Sequence, residues 1–129
     1  MASGISNGKP GPMADPVSQF LADRGAAPHL IAGGGPGLIQ RWREFVSLVE
    51  SGYAFGLEDY RNDLDLRTLI AGASLGPDVA EEDARLLALL TRTDIEIWSG
   101  DAPDAWWTRG YPVNAGPLLL QDLQADGIL

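Results

Sequence analysis

The sequence predicts an all-α fold, a small bundle of four to five helices with a non-helical, aromatic-rich C-terminal segment. Three observations predict it. Apolar residues recur at three- and four-residue steps from Leu38 to Tyr53, with polar residues filling the other side. Helix-start signals return along the chain: Asp15 before Pro16, Pro36 after a glycine run, and Pro77 ahead of a group of acids. The one strand-like stretch, Thr91 to Trp98, has no second convincing strand to pair with.

Residues 1–14 are rich in Gly, Ser, Pro and Asn, without apolar periodicity, and read as a flexible N-terminal tail. Residues 15–129 read as a single helical domain, of a size that supports a modest core. Its first helix is short: Val17, Phe20 and Leu21 form the apolar side and Gly25 closes it. Ala27 to Ile39 follows, with the only histidine, His29, and the glycines Gly33, Gly34, Gly35 and Gly37. Glycines ahead of a helix can present N–H groups to a phosphate. Here the Walker lysine and the G-x-G-x-x-G spacing are absent and no strand leads in, so the stretch reads as a hinge with Pro36 opening the next helix. His29 has no cysteine or serine elbow to work with and reads as a turn or packing residue.

The helix from Leu38 to Tyr53 puts Leu38, Trp42, Phe45, Val46, Val49 and Tyr53 on its core side, and Ser51 with Gly52 marks its end. Trp42 and Phe45 are its anchors, since an aromatic side chain buries about 150–250 Å². Leu57 to Ile70 is different. Drawn as one helix, at about 100° per residue, it places Leu57, Tyr60 and Leu64 nearly opposite Leu66, Leu69 and Ile70. Such a helix is either clamped between two layers or broken near Asp63 to Asp65. The unbroken form sets Asp59 and Asp63 on the side of Leu66 and Ile70, and burying carboxylates without partners is costly. A break is therefore expected, with Asp63 or Asp65 capping the second piece. The two arginines pair locally in this reading: Asp63 with Arg67, Arg61 with Asp65, and Glu58 with Arg61.

After Ile70 a loop leads to the helix opened by Pro77. Asp78, Glu81, Glu82 and Asp83 sit at its positive end, and Val79, Leu86, Leu87, Leu90, Ile97 and Trp98 form its apolar side if it runs to Trp98. Ile95 and Ile97 alternate with charge as in a strand, but without a partner strand helix is the expectation. The remaining segment carries Trp106, Trp107 and Tyr111 between Pro103, Gly110, Pro112, Gly116 and Pro117, which predicts an extended course. Neighbouring side chains of an extended chain face opposite ways, so one of Trp106 and Trp107 is a candidate contact residue, with Arg109 nearby. Leu118 to Leu123 closes the chain as a final helical turn.

Charge bounds function. Eighteen acids against nine bases give a net charge of −9 and a pI of about 4.3, which disfavours nucleic acid and anionic membranes as partners. The chain has no cysteine, which excludes disulfides, thiolate zinc sites and a cysteine nucleophile, and fits a reducing, cytoplasmic location. It has no apolar stretch of membrane-spanning length and no secretory signature. The expectation is a small acidic protein-interaction module, of an accessory, immunity-like or assembly kind by size and charge alone, without catalysis, cofactor or metal. Glu58, Asp59, Asp63, Glu81, Glu82 and Asp83 would face a basic protein partner, with Trp106 or Trp107 and Arg109 as anchors. Self-association stays open. The alternative is a small metal-dependent enzyme built on the carboxylates of Glu58 to Asp65. Asp59 and Asp63, four residues apart, have oxygen ligands suited to magnesium or calcium, and His29 is the only imidazole to join them.

Overall fold

The computed structural model describes residues 16–98 and 105–129. The predicted tail over 1–14, the Asp15 cap and the start of the C-terminal segment, 99–104, lie outside the described residues. Helix α1 (Pro16–Asp23) starts on its proline and buries Leu21. It stops at Gly25, whose φ of 74° lets its N–H reach the Ala22 carbonyl at 3.0 Å while Ala26 N–H reaches that of Leu21 at 2.9 Å. That double closure is the usual left-handed glycine stop.

The expected hinge is a kink. Helix α2 (Pro28–Glu50) is helical on both sides of Gly34, which sits at φ 58°, ψ −151°, a backbone that residues with a Cβ rarely adopt. Beyond it, Leu38, Trp42, Phe45, Val46 and Val49 are buried along one side, as the periodicity requires. Gly52, at φ 105°, repeats the glycine stop: its N–H binds the Val49 carbonyl and Tyr53 N–H binds that of Leu48, each at 3.0 Å.

Helix α3 (Leu57–Gly72) corrects the predicted break: it runs unbroken through Asp63 to Asp65, and neither aspartate caps a second piece. The chain adopts the clamped alternative. Leu57, Tyr60, Leu64, Arg67, Thr68 and Ile70 are all buried, while Leu66 and Leu69 are half-buried and packed against the same core. Phe20 of α1 lies so close over Gly72 that a Cβ there would stand 2.5 Å from its ring. The cost that argued for a break is offset by distant partners. Asp63 accepts a 2.8 Å bond from the Tyr53 hydroxyl, and Asp65 a 2.6 Å bond from Trp98 Nε1.

A short 3₁₀ turn (Gly76–Val79) leads into α4 (Ala80–Leu87). The helix predicted to run on to Trp98 ends there, and Leu90–Glu96 forms strand β1. Its missing partner is β2 (Arg109–Pro112), concealed in the sequence by Gly110 and Pro112. The two pair antiparallel, Leu90 opposite Pro112, Thr91 opposite Tyr111 and Glu96 opposite Arg109, with an irregularity between Thr91 and Glu96. Gly110, at φ 79°, lies directly on Thr91, whose carbonyl oxygen a Cβ would strike. Pro112 has no N–H to give, and the ladder continues from Val113 N–H to the Leu89 carbonyl at 2.7 Å. Ahead of β2, Trp106–Thr108 is a 3₁₀ turn, where an extended course was expected. Helix α5 (Pro117–Ala125) then buries Leu119 and Leu123.

The described chain is therefore mainly helical, with five α-helices, but the two-stranded sheet means it is not purely all-α. At the centre four rings of α2, its C-terminal turn and α3 meet. Trp42 is 5.0 Å from Phe45, Phe45 is 5.7 Å from Tyr60, and Tyr53 is 5.3 Å from Tyr60, edge-on. No helix among the described residues is long and apolar enough to cross a membrane.

Candidate functional site

The sequence-predicted residues separate into two groups, one turned inward and one turned out. The inward group is centred on Arg67. Its Nε and Nη2 reach the Asp83 carboxylate at 3.0 and 2.8 Å, and Trp42 Nε1 donates to the same carboxylate at 3.0 Å. The guanidinium lies 4.6 Å from the centre of the Trp107 ring, and Trp107 Nε1 donates to Thr68 at 3.2 Å. Glu82, almost fully buried, takes a 2.9 Å bond from Arg43 Nε, which holds its carboxyl below the usual range. Glu82, Asp83 and Trp107, placed on a contact surface by sequence, are thus built into the helix packing. Trp106 stands half-buried and edge-on to Trp107, with ring centres 5.7 Å apart, so the pair splits into one inner and one outer ring. Arg109 is exposed and donates to the Asp94 carbonyl at 3.2 Å.

The outward group lies on α3. Glu58 and Asp59 are exposed in its first turn, and neither makes a hydrogen bond or ion pair among the described residues. Asp63, one turn on and half-buried, is pushed above the usual carboxylate range by burial; the Tyr53 hydroxyl bond opposes the shift and the neighbouring Asp59 charge adds to it. Tyr53 in turn is pushed far up by burial and by Asp63, so its phenol stays protonated at any working pH. The predicted local pairs of α3 are absent. Arg67 goes to Asp83, while Arg61 bonds the Ile97 carbonyl at 2.8 Å, approaches Asp126 at 3.3 Å and lies over Trp98.

Sequence reasoning missed the apolar half of this surface. Phe55, in the turn before α3, packs edge-on against Tyr53 yet stays 49% exposed, and Leu118, at the start of α5, is 47% exposed. Gly56, next to Phe55, faces α5: an added Cβ there would be 3.7 Å from Leu118 and 2.6 Å from the Asp122 carboxylate. Asp122 accepts the free Leu57 N–H of α3 at 3.0 Å. An aromatic beside a glycine at a helix start was the available signal for Phe55; nothing local marks Leu118 or Asp122 as its neighbours.

Among the described residues no three histidine or carboxylate groups converge, and His29 lies elsewhere, in an open cleft of about 330 Å³ on α2 lined also by Gly33, Gly37, Arg41 and Glu44. Glu81 is exposed on α4, away from its buried neighbour Glu82. No protein-family model, curated protein or solved structure matches the chain.

Proposed function

We propose that this protein is a non-catalytic interaction module that binds a basic protein through its acidic surface. One observation carries this. Three arginines are spent internally, the buried Arg67 on Asp83, Arg43 on Glu82 and Arg61 on Ile97 and Asp126, whereas Glu58 and Asp59 stand exposed without an opposite charge to neutralise them. Acids left outward in a chain of net charge −9 raise the approach rate of a basic partner, an attraction that fades as salt screens it. Glu81 adds an exposed acid on α4 and Asp63 a half-buried one on α3, while Glu82 and Asp83 act by holding α4 to the rest of the core.

The experiment is affinity capture on the immobilised chain at low and high salt, with bound proteins identified and their charge counted. Retention of net-positive proteins at low salt and their release at high salt is the expected result. Capture of nothing at either salt, or of acidic proteins only, overturns it.

A further inference from the structure

We infer that Phe55 and Leu118, with the carboxylates around them, form the docking site for a short basic amphipathic segment of the partner, a surface that rests on the function proposed above. The two side chains are each about half exposed, and Leu118 lies against Gly56, the residue that follows Phe55. Asp122 lies beside Gly56, Asp63 binds the hydroxyl of the Tyr53 ring that Phe55 packs against, and Glu58 and Asp59 are exposed in the adjoining first turn of α3; Arg61, further along α3, is held away by the Ile97 carbonyl and Asp126. The starts of α3 and α5 meet here, and each helix end contributes a positive potential worth about half a charge. Four carboxylates outweigh two such ends, so the rim stays negative. That sign selects the occupant. A second copy of this chain would set one acidic rim against another, which is unfavourable. A segment that carries a leucine or aromatic anchor among lysines and arginines satisfies both the apolar centre and the rim, the arrangement in which central apolar contacts hold and charged edges steer.

The test uses the full chain, isotope-labelled for amide spectroscopy, titrated with a synthetic Lys/Leu amphipathic helix peptide and a Glu/Leu peptide of the same pattern. Shifts from the Lys/Leu peptide should concentrate at residues 54–63 and 116–123 and weaken with salt, while the Glu/Leu peptide produces none. Affinity should fall about tenfold or more in Phe55→Ser/Leu118→Ser, the loss typical of removing central anchors. Glu58→Gln/Asp59→Asn should weaken binding at low salt only; both variants are checked for an unchanged amide spectrum away from the substitutions. Lys/Leu shifts centred on another face refute the docking site but leave a basic partner standing. The absence of any shift at low salt removes both. Equal binding of the Glu/Leu peptide refutes the selection by charge, and a homodimer that Phe55→Ser dissociates makes a second copy the occupant.

Discussion

Removing Asp83 should unfold more of the protein than removing any surface acid, and the geometry sets how much. Its carboxylate takes three bonds from Arg67, two of them shared by Nε, and one from Trp42, with side chains only 8% exposed for Arg67 and 16% for Asp83. Taking one partner from a buried ion pair costs about 3–5 kcal/mol, because the other charge is left without compensation. The orphaned Trp42 N–H adds to that, and the slight access of water at Asp83 subtracts, so Asp83→Ala should cost about 3–4 kcal/mol. For a chain of this length that corresponds to a fall in Tm of about 12–16 °C. Arg67→Met keeps an apolar stem against Trp107 and leaves Asp83 able to reach water, for a smaller loss of about 2–3 kcal/mol. In the double variant neither charge is stranded, so its cost should fall short of the sum by about 2–3 kcal/mol. Urea titration followed by far-UV circular dichroism measures all four proteins without relying on Trp42 fluorescence. A loss under about 1 kcal/mol for Asp83→Ala, the level of an exposed pair, or strict additivity, would refute the buried-pair account.

Four further outcomes follow from the packing. The Tyr60 hydroxyl is buried without a hydrogen-bond partner among the described residues, so Tyr60→Phe should stabilise by about 1 kcal/mol in the same titration; a loss of stability would show that the hydroxyl has a partner after all. Ser74 ends α3 at φ 62°, where a glycine pays no Cβ penalty, and Ser74→Gly should gain about 0.5–1 kcal/mol, read as a rise in Tm. A Cβ on Gly116 would stand 2.8 Å from the Gly52 and Tyr53 carbonyls, both backbone, so Gly116→Ala should lose about 1–3 kcal/mol by calorimetry. Asp63 binds its proton more tightly when folded than when unfolded, so its contribution to stability is fully present below the unfolded pKa and is lost as pH rises through the raised folded value. Asp63→Asn should therefore melt higher than the parent at neutral pH, with the advantage shrinking as pH falls toward the ordinary carboxylate range; a constant difference across pH would contradict this.

Most helix positions were legible because each is fixed within a few residues of itself. Pro16, Gly25, Gly52 and the apolar row of Leu38 to Val49 state their own geometry, and the structure keeps them. Apart from the local 3₁₀ turn at Trp106–Thr108, the failures involve residues well separated in the chain. Helix α3 survives Asp63 and Asp65 because Tyr53 and Trp98 supply donors, the latter from 33 residues away. Strand β1 needs β2, whose glycine and proline disguise it, and which pairs only because Gly110 admits Thr91 at contact distance. The outward surface was half legible: acid spacing pointed to Glu58, Asp59 and Asp63, but no periodicity brings Leu118 against Gly56, nor turns Asp83 inward to Arg67.

Asn114, Asp122 and Trp107 carry a consequence for how the chain is made. Asn114 bonds the last carbonyls of α2 at Val49 and Glu50, Asp122 closes the first turn of α3 at Leu57, and Trp107 seals Thr68. Helices synthesised early thus wait for residues translated much later to satisfy their exposed ends. On the ribosome the nascent protein should stay protease-sensitive until the stretch from Trp107 to Asp122 has emerged, and resist digestion soon after; early resistance in chains stalled before Trp107 would show that the first helices stand without that late clasp.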